Sequence, residues 1–227
     1  MVMPFLSPAL LDQFVSCSGT HDIMTMLVLL ALCSVASAFN LVELPIEDDP
    51  RFSLSQDVKA MTSITERMYI VSRNYNITTP NRCHSAIKTA ALSHDKIVVA
   101  LRAHLGGIGG PPVESKSLFI SLRTGLHKRD NAVIYKLHPR FHPAVRKLMY
   151  IDPFRRCLIL VERIEHYGKG CQLMMTESAL DYPIPTFCML LYRHHCPGPK
   201  VALYHPYCKH QDALIDRKAI DEGYNKH

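Results

Sequence analysis

The stretch CMLLYRHHCPGPKVALYHPYCKH, Cys188 to His210, places three cysteines among histidines at positions 194, 195, 205 and 210. Its reading decides the fold, because these cysteines belong either to a zinc site or to a disulfide framework. Thiolates and imidazoles are the usual ligands of structural zinc, but zinc modules supply them in close pairs, so that one short turn aims two ligands at one ion. Here Cys188 and Cys196 are eight residues apart, and Cys196 and Cys208 twelve. Residues 183–196 also read as a helix, with prolines at its entrance, Asp181 or Thr186 as candidate caps, and Cys-Pro-Gly-Pro at 196–199 to stop it. Eight residues of helix rise about 12 Å. That is too far for the two cysteines to share an ion, and beyond the roughly 7 Å between the Cα atoms of disulfide partners. Each needs a partner elsewhere in the chain.

The other end of the sequence bears on the compartment. MTMLVLLALCSVASA, Met24 to Ala38, has the apolar core of a secretory signal and ends in Ala-Ser-Ala, a small-residue cleavage motif. The apolar run is too short to cross a bilayer as a helix. Residues 1–38 are therefore expected to be a leader, with translation starting at Met24 or Met26 as one reading of the motif-free first 23 residues, and residues 39–227 a single secreted domain. That domain carries all 26 Lys and Arg and 18 acids, a formal charge of +8. The charge is spread along the chain with no basic run interleaved with aromatics, so no nucleic-acid partner is expected. No later segment is apolar enough for a membrane span. Six cysteines remain after the leader, Cys83, Cys157, Cys171, Cys188, Cys196 and Cys208, and an even number in an exported chain points to three disulfides. Asn76-Ile77-Thr78 is an acceptor for N-glycosylation.

After the segment around DDPRFSLSQDVKAM (48–61), the pattern is one of short strands. They read at 65–75, 82–92, 95–103, 116–124, 131–138, 144–151, 155–163 and 170–176, separated by turn-forming residues. Eight strands at this spacing favour an up-and-down antiparallel barrel over βαβ units. The helix at 183–196 follows, and KVALYHPYCKH (200–210) reads as an extended tail. GGIGGPP (106–112) lacks the spacing of a phosphate cradle and reads as a flexible loop. Histidines 138, 142, 166, 194, 195 and 205 are scattered over turns and the tail, so no metal or cofactor is expected. No Gly-x-Ser-x-Gly or His-Glu-x-x-His occurs, and no enzymatic role is expected.

With these elements in place, the segment RRCLILVERIEHYGKGCQLMMTESALDYPIPTFCMLLYRHHCPGPKVALYHPYCKH (155–210) resembles the C-terminal half of a tick salivary lipocalin of the histamine-binding type. The carriers of the likeness are Cys157, the core Gln172-Leu173-Met174, Pro185 before Cys188, and Tyr204 with Cys208. MYIVSRNYNITTPNRCHSA resembles the family's first two strands, with Tyr69 and Tyr75 ahead of Cys83, and the likeness extends over residues 47–210. The resemblance implies an eight-stranded barrel with a C-terminal helix on its wall. It also implies Cys83–Cys208 and Cys157–Cys188 bonds, which leaves Cys171 for Cys196. Members scavenge small host mediators at the feeding site, among them histamine, serotonin, leukotrienes and fatty acids. Some bind host plasma proteins such as a complement component.

The departures are chemical. The family's amine binders place acids just after the strand cysteine and in an acid-Leu-Trp core; here those positions are Leu158 and Gln172, the Trp is Met174, and its aromatic counterpart near the N-terminal segment is Phe52. A buried ammonium without an opposing charge is costly. The expected ligand is therefore an apolar, acidic lipid mediator held by a monomer, with an amine or a plasma protein as the alternatives. The candidate ligand-binding residues are Tyr69, Leu158, Gln172, Met174 and Arg123. Arg102, Lys136 and Arg163 are further cations for a carboxylate, and Glu66, Glu162 and Glu177 the acids that would line an amine site instead.

Overall fold

The computed structural model describes residues 44–224, with side chains through Lys218. The expected leader at 1–38 lies outside the described residues. Eight antiparallel strands, β1 (Met68–Arg73), β2 (Arg82–Ala91), β3 (Lys96–His104), β4 (Pro112–Leu122), β5 (Ala132–Tyr135), β6 (Ala144–Ile151), β7 (Cys157–Ile164) and β8 (Gly168–Thr176), each pair with the next, and β8 returns to pair with β1. The sheet closes on itself, so no long edge is left among these strands. A two-residue strand, β9 (Val201–Ala202), adds to the far end of β1.

The alternation in each strand explains the closure. On β7, Leu158 and Leu160 point into the barrel, while Cys157, Ile159 and Val161 point outward. On β8, Gln172 and Met174 face inward, and Cys171, Leu173 and Met175 face outward. Both faces are buried because the helix α2 (Thr186–His195) covers the outer one with Cys188, Leu191 and Tyr192. That double burial is why these strands read as near-continuous apolar runs rather than as clean alternation. The short helix α1 (Val58–Thr62), capped by Asp57 accepting from the Lys59 amide at 2.9 Å, seals one end of the barrel by packing Val58 and Met61 among the inward side chains.

Three disulfides hold the additions to the barrel. Cys157–Cys188 and Cys171–Cys196 bracket α2 against β7 and β8, with Cα separations of 6.7 and 5.9 Å. Cys83–Cys208, at 5.2 Å, ties β2 to the C-terminal segment.

That segment corrects one expectation. Only Val201–Ala202 of the tail is extended; from Pro206 the chain is a helix, α3 (Pro206–Tyr224). Proline is well placed to open a helix, since its fixed φ suits the first turn and its missing N–H has no partner to lose there. The run QDALIDRKAIDE that follows is rich in good helix formers. The glycine-rich loop is also shorter than expected, because Pro112 already begins β4. No described helix is long and apolar enough to cross a membrane.

Candidate ligand cavity

The barrel encloses a cavity of about 690 Å3, within the range that holds a small organic ligand. Toward α1 its wall is apolar: Met61, Ile64, Met68, Ile97, Phe119, Leu158 and Met174 line it. Phe119 stacks on Tyr135 with ring centroids 3.7 Å apart. At the opposite end the exposed Val113, Leu137 and Phe141 form a rim, and the wall below it becomes polar.

That polar end is built by strand geometry. Met68 and Ile70 on β1 face inward, and strict alternation would send Ser72 inward too. The register with β8 shifts between Ile70 and Ser72, however, and such a bulge turns the rest of the strand over. Ser72 therefore points out and hydrogen-bonds the Tyr192 hydroxyl of α2 at 3.1 Å. Arg73, paired in register with Gln172, lines the cavity instead. Its guanidinium lies 5.1 Å from the centroid of the Tyr75 ring and donates to the Asn76 carbonyl at 3.4 Å. Gln172 donates to the Tyr75 hydroxyl. Gly170 makes room for that tyrosine, since a Cβ there would stand 3.0 Å from the Tyr75 ring. His84 enters from β2, where the register shifts again and Cys83 takes a left-handed φ of 55°. Arg146 crosses the Tyr135 ring at 4.2 Å and pairs with Glu162 at 2.7 Å.

The surroundings move these groups' proton affinities. Burial, then the charges of Arg73 and Arg82, depress His84 to about 4, so it is neutral at physiological pH. Burial also pulls Arg73 below its usual range, against the opposing influence of Tyr75 and Glu162. Tyr75 is pushed up, by burial first and by Glu162 next. The acids that border the cavity already have partners. Glu66 accepts from the Ser178 amide at 2.8 Å and from its hydroxyl at 3.0 Å, and Glu114 accepts from Arg102 at 2.8 Å.

Of the five candidate residues, Leu158, Gln172 and Met174 meet in the cavity. Tyr69 and Arg123 do not join them. Tyr69 faces outward, edge-on to Tyr204 at 5.2 Å beside the Cys83–Cys208 bond. Arg123 is exposed just past the end of β4. Among the other cations considered, Lys136 and Arg163 are exposed, and Arg102 is taken up by acids of α3 and β4. Glu162 is inside but neutralised by Arg146, and Phe52 is 39% exposed. Arg73, His84 and Arg146 were not among the candidates. Asn76 is exposed in the loop between β1 and β2.

The family model for tick histamine-binding protein matches residues 46–210. The chain belongs to this family. Solved structures similar to it include Japanin from Rhipicephalus appendiculatus bound to cholesterol, at 15% identity and a TM-score of 0.48, covering 63% of this chain and 95% of that one. An AM182–serotonin complex is similar at 12% identity and a TM-score of 0.45, covering 63% and 85%. Lobster apocrustacyanin A1 is similar at 8% identity and a TM-score of 0.48, covering 70% and 89%. No curated protein sequence matches the chain.

Proposed function

We propose that this protein is a secreted carrier that sequesters a small, mainly apolar, acidic mediator in tick saliva, acting by binding rather than by catalysis. One observation carries the reading: the cavity is apolar toward α1, and the acids at its border or inside it, Glu66, Glu114 and Glu162, are each engaged by a protein partner. An amine entering this space would lose hydration and find Glu114 and Glu162 already paired with arginines, with only Glu66, hydrogen-bonded by Ser178 at the border, left without a cation among the described residues. A lipid chain gains roughly 25 cal/mol for each Å2 of apolar surface it buries, before the cost of ordering it. Leu158 and Gln172, at the positions where the family's amine binders are expected to carry acids, line the same space.

The test is calorimetry with histamine, serotonin, a leukotriene and arachidonic acid side by side. The lipids should bind and the amines should bind weakly or not at all. Tight histamine binding without lipid binding would reverse the reading. Silence from all four, with a stoichiometric partner captured from host serum, would replace it with inhibition of a plasma protein.

A further inference from the structure

The polar end of the cavity holds more unsatisfied nitrogen than a finished structural network should. Arg73 is 7% exposed and Arg146 lies deeper still, yet the Nε atoms of both, and Nε2 of His84, have no hydrogen-bond partner. Buried donors left unpaired are costly, and native structures rarely keep several together without a reason. The charges are uneven as well. Arg146 and Glu162 form a pair at 2.7 Å, and the neighbouring Tyr75 and Gln172 satisfy each other. Arg73 has a long bond to a backbone carbonyl and the face of Tyr75, and it feels Glu162 only as a neighbouring charge, since the ion pair of that acid is with Arg146. Two arginines thus share one carboxylate, and Arg73, at the place to which the β1 bulge brings it, has no ion pair of its own among the described residues. An ordinary strand would have pointed that arginine into the outer layer under α2.

Resting on the carrier reading, we propose that Arg73 and His84 form a head-group site for a single carboxylate, with the ligand's chain running from there toward Phe119 and Leu158. The guanidinium supplies the charge and a directional donor through Nε. His84 is held neutral and presents Nε2 to the second carboxylate oxygen in the tautomer that carries the proton there. The site discriminates by head group, and the apolar wall beyond it accepts the chain with little demand on its detail.

The experiment compares arachidonic acid with arachidonyl alcohol, which has the same chain and no charge, by calorimetry on the mature, disulfide-intact protein at neutral pH. The acid should bind about tenfold or more tighter than the alcohol, as expected for a charge-assisted contact in a buried setting. Arg73→Gln should erase that preference, read as the ratio of acid to alcohol affinity. Arg73→Lys should keep part of the preference, and His84→Ala should reduce it several-fold, which covers the case in which Arg73→Gln does not fold. Equal binding of acid and alcohol by the unaltered protein, or an undiminished preference in folded Arg73→Gln, overturns the head-group site while leaving the carrier reading intact. Binding of neither overturns both.

Discussion

Arg102 of β3 and Asp212 of α3 meet at 3.0 Å with side chains only 7% and 1% exposed. Around this contact Asp212 also accepts from Ser85 at 3.2 Å and lies 3.3 Å from Nε2 of His104. Asp216, one turn on, receives Arg102 at 2.7 Å and Arg67 at 2.8 Å. The C-terminal helix is thus docked by charge on the outside of the barrel, whereas α2 is docked by apolar side chains and disulfides.

Removing one member of such a cluster leaves the rest buried without compensation. Asp212→Ala should therefore destabilise the fold by about 3–5 kcal/mol, seen as a lower midpoint in chemical denaturation. Because Cys208 remains bonded to Cys83, α3 should stay tethered at its start while it loosens, and protection of its backbone amides from hydrogen exchange should fall before that of β7 and β8.

Acid should weaken the protein through His84. The folded imidazole takes up its proton at about pH 4, whereas the ordinary value is 6.5. Between these values the unfolded chain holds more protons than the folded one, so stability falls as pH drops from about 6.5 toward 4, by up to roughly 3 kcal/mol. His84→Gln should flatten that part of the stability profile, measured by denaturation at half-unit pH steps.

Gln172→Glu would place a carboxylate directly across from Arg73, its register partner on β1. The new acid should occupy the arginine from within. Arachidonic acid should then bind about tenfold more weakly, with binding of the uncharged alcohol little changed. Calorimetry of the two ligands on this variant checks the outcome.

Replacing Cys171 and Cys196 together by alanine opens a crosslink spanning 25 residues. The expected cost is about 3 kcal/mol, mostly through a freer unfolded chain. Non-reducing peptide mapping of the unaltered protein should recover all three pairs, and thermal melts of the double variant should show the loss.

Much of the barrel was legible because its strands are short and punctuated. β6 occupies the residues expected for it, and the other strands differ from expectation only at their ends, by up to four residues. The cavity was harder to read. Period two says that Leu158, Leu160 and Glu162 share a face, but not which face is inside. It fails outright where a bulge intervenes. Counting from Met68 puts Arg73 on the outer side, and only the register shift after Ile70 brings it in. Tyr69 was a candidate through its place in the family pattern, yet it stands on the face that meets the C-terminal segment. Arg102 carries the right charge for a ligand carboxylate, but its partners on α3 come from residues more than a hundred positions away, beyond the reach of local pattern.

The Cys83–Cys208 bond spans 125 residues and encloses β2 through β9 in a covalent ring. A protease that cuts once inside that ring leaves its two ends joined, so a nick in any of those loops releases no fragment. The connection between β1 and β2, residues 74–81, is the one described link between barrel strands that lies outside it. A cut there would free β1, the strand that closes the barrel, together with Arg73. Asn76, Ile77 and Thr78 are exposed at that point. A glycan on Asn76 would cover the connection where a single cleavage can open the barrel, so removing the acceptor should shorten the protein's lifetime in a protease-rich fluid far more than its equilibrium stability would foretell.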